Sequence, residues 1–163
     1  MQKNYYIYEK ANLKILVNKM PIWFNEISVE GDENKGIINF ESSNDYDEIW
    51  GPNAKIEFEW FKKERLDFFH AKEVQASIDT YNAINVVVVK KERDWLNSHE
   101  FSYWFGKRTK MVRKRYYPEN FIYGLFYCDM TLRQFSMTAE IIREHYEGFK
   151  PFILEAFNSI ICH

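Results

Sequence analysis

Glycine and proline are scarce, six and four residues in a chain of 163, and that scarcity excludes a good deal. A disordered or low-complexity chain does not have this composition. A phosphate-cradling loop is not expected with so few glycines. The patterns G-x-x-x-x-G-K, G-x-G-x-x-G, G-x-S-x-G and H-E-x-x-H are all absent, which removes the common nucleotide-dependent enzymes. No apolar run approaches the roughly 20 residues that span a bilayer. The opening residues MQKNYY lack the apolar core of a secretory signal. A cytoplasmic protein with reduced thiols and no membrane partner is therefore expected. Cysteine occurs twice, at Cys128 and Cys162, and histidine four times, without a C-x-x-C or H-x-x-x-H pair.

Aromatic residues, in contrast, are abundant. They form 18% of the chain within an apolar share of 46%, enough for one solid core in a single domain spanning residues 1–163. Net charge is −2, but its distribution is uneven. Ten acidic residues lie between Glu26 and Glu59 against Lys35 and Lys55. From Lys107 to Arg115, six of nine residues are basic. Such a polar distribution bears on association more than on fold.

Alternation marks Leu13–Val17 as a half-buried strand, and Pro21 interrupts the pattern after it. Residues 31–36 read as a turn, 36–40 as a strand and 44–53 as a loop closing on Gly51-Pro52. In residues 54–60, Ile56, Phe58 and Trp60 face one way and Lys55, Glu57 and Glu59 the other, the cleanest strand in the chain. A helix is predicted from about Glu64 to Asn82, with Leu66, His70, Val74, Ile78 and Tyr81 as its apolar stripe. The β-branched run 85–89 reads as a buried strand. Residues 107–117 and 121–128 read as a hairpin turning at Pro118-Glu119-Asn120. Alternation of Arg133, Phe135 and Met137 favours a short strand before a helix at about 139–147. Gly148 is expected to end that helix and Pro151 to start another, burying Phe152, Ala156, Phe157 and Ile160. Strands joined by short loops, with few helices, indicate an α+β domain: a largely antiparallel sheet with helices packed on its faces.

Three segments, Ile15-Leu-Val-Asn-Lys-Met-Pro21-Ile-Trp23, the region of His99, and Phe157-Asn-Ser159-Ile160, resemble the PsbP-like domain family. The resemblance implies an antiparallel sheet covered by helices on both faces. Members of that family serve as extrinsic photosystem subunits and as partners of small GTPases. It therefore implies a binding scaffold with no shared catalytic motif.

Two candidate sites follow from the residues themselves. The region from His99 to Tyr117 combines aromatic and basic side chains, with His99, Trp104, Lys110, Arg113, Arg115 and Tyr117 as candidate binding residues. An acidic protein partner or a second copy of the chain is the favoured occupant. Nucleic acid is less favoured, because the pI is near neutral and an acidic stretch lies elsewhere. Lysines that merely protect a sheet edge are the structural alternative. The second candidate is a metal- or thiol-dependent site built from Cys128, Cys162 and His163, with His99. Zinc takes four nitrogen or sulfur ligands, and inert thiols, a disulfide holding the C-terminus, or a nucleophile are the other uses of these groups. No cofactor is expected, zinc being possible only on the second reading. His70, on the apolar stripe, reads as a hydrogen-bonded boundary histidine or a general base.

Overall fold

The computed structural model describes residues 6–10, 13–17, 24–42, 46–47, 51–96 and 99–163. Seven strands form the main sheet, each antiparallel to its neighbours: β3 (Phe24–Gly31), β4 (Lys35–Ser42), β7 (Ala54–Lys62), β11 (Arg133–Ile142), β10 (Arg115–Cys128), β9 (His99–Val112) and β8 (Val87–Leu96), in that spatial order. A smaller sheet joins β1 (Tyr6–Lys10), β2 (Leu13–Val17) and β12 (Ile160–Ile161). The two-residue strands β5 (Tyr46–Asp47) and β6 (Gly51–Pro52) pair with each other. Helices α1 (His70–Asn82) and α2 (Arg143–Asn158) complete the α+β architecture. Among the described residues, no helix is long and apolar enough to cross a membrane; β-barrel spans are a separate matter.

The helices cover opposite faces of the sheet, and β10 shows why. Its Phe121, Tyr123, Leu125 and Tyr127 pack with Trp104, Phe68 and Ile78 beside α1. Its Ile122, Phe126 and Cys128 point the other way, into the cluster with Ile153, Ala156 and Phe157 of α2. A strand buried on both faces is apolar at both parities, which explains the unbroken run from Phe121 to Cys128. Gly124 is the gap in that run. A Cβ there would lie 2.8 Å from Phe101 Cζ and 3.0 Å from Met137 Cε. In β7 the apolar set Ile56, Phe58 and Trp60 is buried toward α2 as alternation predicts. Trp60 lies against Gly36 on β4, directly opposite, and its Nε1 donates to the Asp32 carbonyl at 2.8 Å.

Several expectations are corrected. The first helix begins at His70, not near Glu64. Residues 65–67 form a separate 3-10 turn and Leu66 is 88% exposed, so the stripe shortens to Val74, Ile78 and Tyr81. The valine run is not a buried strand: β8 is the sheet edge, and Val87 and Val89 are more than half exposed while Val86 is buried. Gly148 and Pro151 lie inside α2, which runs unbroken from Arg143 because Tyr146, Ile153, Ala156 and Phe157 anchor it to the sheet. Tertiary burial outweighs the local preference of both residues. Phe152 is exposed, and Ile160 belongs to β12. The strand preceding α2 extends to Ile142.

The hairpin turn is also displaced. The β9–β10 register pairs Val112 with Arg115, so the chain reverses at Arg113 and Lys114. Both have positive φ, 50° and 65°, as a two-residue hairpin turn with the native twist requires. Pro118 sits within β10 just before pairing with β11 begins at Glu119, where one flank of the strand is free of ladder bonds.

Candidate functional site

The two long strands β9 and β10 carry both candidate sites, one at each end. At the turn end, β8 pairs with β9 no farther than Lys107, and β11 pairs with β10 from Glu119 onward. Residues 108–118 therefore form a two-stranded ribbon that extends past the sheet. Lys107, Lys110, Arg113, Lys114 and Arg115 are exposed on it. Met111 and Tyr116 stand directly across from each other and are 62% and 73% exposed. Reversal at Arg113 puts Tyr117 beside Lys110, on the face opposite Met111, rather than on a face shared with Met111. Tyr117 is buried with Val112 and Ile142, bracing the ribbon from below. Trp104 is completely enclosed, stacked on Tyr123 at 5.1 Å and donating from Nε1 to Ser77 Oγ at 2.9 Å. It belongs to the core and presents no surface for stacking.

The ribbon's root is a charged knot. Arg108 pairs with the enclosed Glu119 and lies 3.8 Å from Glu140, with its guanidinium 5.2 Å from the Phe121 ring centroid. Arg143 reaches across to the Arg108 carbonyl at 3.3 Å. Burial, reinforced by neighbouring Glu140 and only partly opposed by Arg108, pushes the Glu119 carboxyl up to about 8.

At the far end, His99 opens β9 and Cys128 closes β10. Continuing the pairing of Phe126 with Phe101 places the two across from each other. The residues after β12 bring in Cys162 and His163. Cys162 Sγ lies 3.3 Å from His99 Nε2 and 3.2 Å from His163 Nδ1, and Cys128 Sγ lies 3.4 Å from the same His163 nitrogen. All four ligand atoms fall within 4.8 Å of one another. Both thiols are free and buried, and His163 is exposed. The His99 ring is 8% exposed and stacks on Phe126 at 5.5 Å. Hydrogen bonding from Cys162 holds the Cys128 thiol far below its ordinary value, and the same contact with burial drives the Cys162 thiol up. His99 thus belongs with the thiols and not with Lys110, Arg113 and Arg115, which are at the other end of the strand.

A third feature had no signal in the sequence. A pocket of roughly 420 Å³ opens between α1 and β8–β9, lined by His70, Val74, Lys91, Arg93, Glu100 and Ser102. His70 Nε2 lies 2.6 Å from Ser102 Oγ, and Arg93 pairs with Glu100. Burial lowers the His70 pKa, so the ring is neutral near pH 7. Among the described residues its Nδ1 meets no hydrogen-bond partner. A serine–histidine pair without an acid on the far ring nitrogen lacks the group that orients a hydrolytic triad. The reading of His70 as a hydrogen-bonded boundary residue fits this arrangement.

No protein-family model matches the chain, and no curated protein is significantly similar to it. Solved structures are similar. The solution structure of cyanobacterial PsbP (CyanoP) from Synechocystis superposes with a TM-score of 0.63 at 10% identity, covering 100% of this chain and 95% of that one. The Ran-binding protein Mog1p of Saccharomyces cerevisiae superposes with a TM-score of 0.56 at 10% identity, covering 98% and 96%. This chain has the PsbP-like fold. The PsbP-like fold therefore supplies the frame on which the ribbon and the cysteine–histidine cluster sit, and at such identities the likeness extends to the fold alone. Part of the quoted resemblance, residues 18–23, lies outside the described residues.

Proposed function

We propose that this chain is a non-enzymatic binding or adaptor domain of the cytoplasm that docks an acidic protein surface through the β9–β10 ribbon. The observation that carries the reading is the exposed Met111–Tyr116 pair, with Lys107, Arg113 and Lys114 beside it and Arg115 on the other face, on a ribbon extending past the sheet. An apolar centre with a charged rim is the usual anatomy of a protein interface. The positive φ of Arg113 and Lys114 at the ribbon's tip strengthens it. That conformation strains the backbone, so basic side chains occupy the tip at a cost that Asn-Gly would avoid. One structure with this fold belongs to a protein named for binding Ran, which is consistent with a scaffold that meets protein partners.

The test is affinity capture from a nuclease-treated lysate of the source cells, comparing the native chain with Arg113→Ala/Arg115→Ala. The native chain should retain an acidic protein that the variant loses. Melting of the variant should stay within about 0.5 kcal/mol of the parent, because both side chains are exposed. Equal capture by the variant contradicts the proposal. Capture that disappears with the nuclease assigns the ribbon to nucleic acid instead, and a concentration-dependent dimer assigns it to self-association.

A further inference from the structure

The cysteine–histidine cluster lies at the opposite end of β9 and β10 from the ribbon, and the binding role leaves it without a purpose. We propose that His99, Cys128, Cys162 and His163 form a closed, structural zinc site that fastens the C-terminal strand to the main sheet.

The ligand set is a Cys₂His₂ set, one of the standard combinations for structural zinc. With Zn–S near 2.3 Å and Zn–N near 2.0–2.1 Å, a regular tetrahedron has sulfur–nitrogen edges of about 3.6 Å and a sulfur–sulfur edge of about 3.8 Å. Three of the sulfur–nitrogen separations are 3.2, 3.3 and 3.4 Å. These three edges differ from the tetrahedral value by only a few tenths of an ångström, and every other pair of ligand atoms lies within 4.8 Å. Four protein ligands leave no position for water or substrate, which makes the site structural and not hydrolytic.

Charge supports the same assignment. Two thiols in a buried setting bind as thiolates, releasing their protons to water, and a divalent cation cancels both charges. Surrounding groups fit as well. The Phe126 ring fixes the plane of His99. Supporting contacts of this kind orient metal ligands and tune them. His163 is exposed and supplies the path of entry.

The ligands come from parts of the chain that need joining. His99 and Cys128 lie on adjacent strands of the main sheet. Cys162 and His163 follow β12, which pairs with β2 of the small sheet. A metal held by all four ties the two sheets together at one end of the molecule.

Cobalt(II) titration of the reduced, metal-free protein tests this, because tetrahedral cobalt absorbs strongly in the visible and thiolate ligation adds a near-ultraviolet band. One equivalent should give both signatures, and one equivalent of zinc should bleach the visible bands. Cys162→Ser should diminish the thiolate band. His163→Ala removes an exposed side chain outside the helices and strands, so the fold persists, and it should weaken metal binding by about tenfold or more. Amide hydrogen exchange in β2 and β12 should slow when zinc is present. The Arg113→Ala/Arg115→Ala variant should bind cobalt like the parent, which separates failure here from failure of the ribbon. Absence of a tetrahedral spectrum with both thiols free overturns the proposal. So does ready oxidation of Cys128 and Cys162 to a disulfide in a protein that takes up no metal, or cobalt binding unchanged in both variants.

Discussion

Glu119 is enclosed at the root of the ribbon, and its carboxyl is raised to about 8 from an ordinary 4.5. The folded chain therefore holds a proton that the unfolded chain releases between those values. Stability contributed by this group is present at low pH and declines as pH rises from about 4.5 to 8, since the folded state binds more protons across that range. Glu119→Gln mimics the protonated form and should flatten that slope, as read by urea denaturation at pH 5 and pH 8. An unchanged slope would show that Arg108 keeps the carboxylate charged. Trp104 offers a second contrast. It was expected on a binding surface and is instead fully enclosed. Trp104→Ala should cost about 3–5 kcal/mol of stability, where a surface tryptophan would cost little.

Single glycines report on the elements that hold them, with opposite signs. Gly148 lies inside α2, and a Cβ there meets nothing within 4 Å among the described residues. Gly148→Ala should therefore stabilise the chain by about 0.5–1 kcal/mol. Gly36 has Trp60 Cζ2 only 2.1 Å from where a Cβ would be. Gly36→Ala should destabilise by about 1–3 kcal/mol. Thermal melts of the two variants decide both, and a destabilised Gly148→Ala would mean that α2 breaks there after all. The same elements show how far the sequence could be read. Alternation at Ile56, Phe58 and Trp60 located β7, because one face of that strand is buried and the other is not. The start of β11 at Arg133 was legible for the same reason. The hairpin was misplaced because Pro118 and Asn120 are strong turn residues, while Arg113 and Lys114 carry no turn signal in their identities. The unity of α2 was hidden because Gly148 and Pro151 oppose a helix locally and only contacts with the sheet, distant in sequence, override them. Of the sites, the grouping of Cys128, Cys162, His163 and His99 was legible as a set of ligand types, though their convergence depends on register. The His70–Ser102 pocket was not legible, since nothing in the spacing connects α1 to β9.

For the molecule as a whole, β9 separates the two candidate sites. Its 14 residues extend about 45 Å at roughly 3.4 Å per residue, with the cysteine–histidine cluster at one end and the basic tip at the other. Changes at sites this far apart should add independently. Of the acidic residues between Glu26 and Glu59, Glu26, Glu30, Glu41, Glu57 and Glu59 lie on β3, β4 and β7, across the sheet from β8 and β9. The basic ribbon is thus a distinct electrostatic feature and not part of a uniformly charged surface. Association through it should weaken as salt rises, because exposed charges are screened beyond about 10 Å at 0.1 M. The most direct measurement is calorimetric titration of the captured acidic partner into the native chain and into Arg113→Ala/Arg115→Ala at two salt concentrations. Docking through the ribbon predicts tight binding by the native chain, weakened by salt and reduced at least tenfold in the variant. Equal affinity for both chains at both salt concentrations would place the interface elsewhere on the molecule.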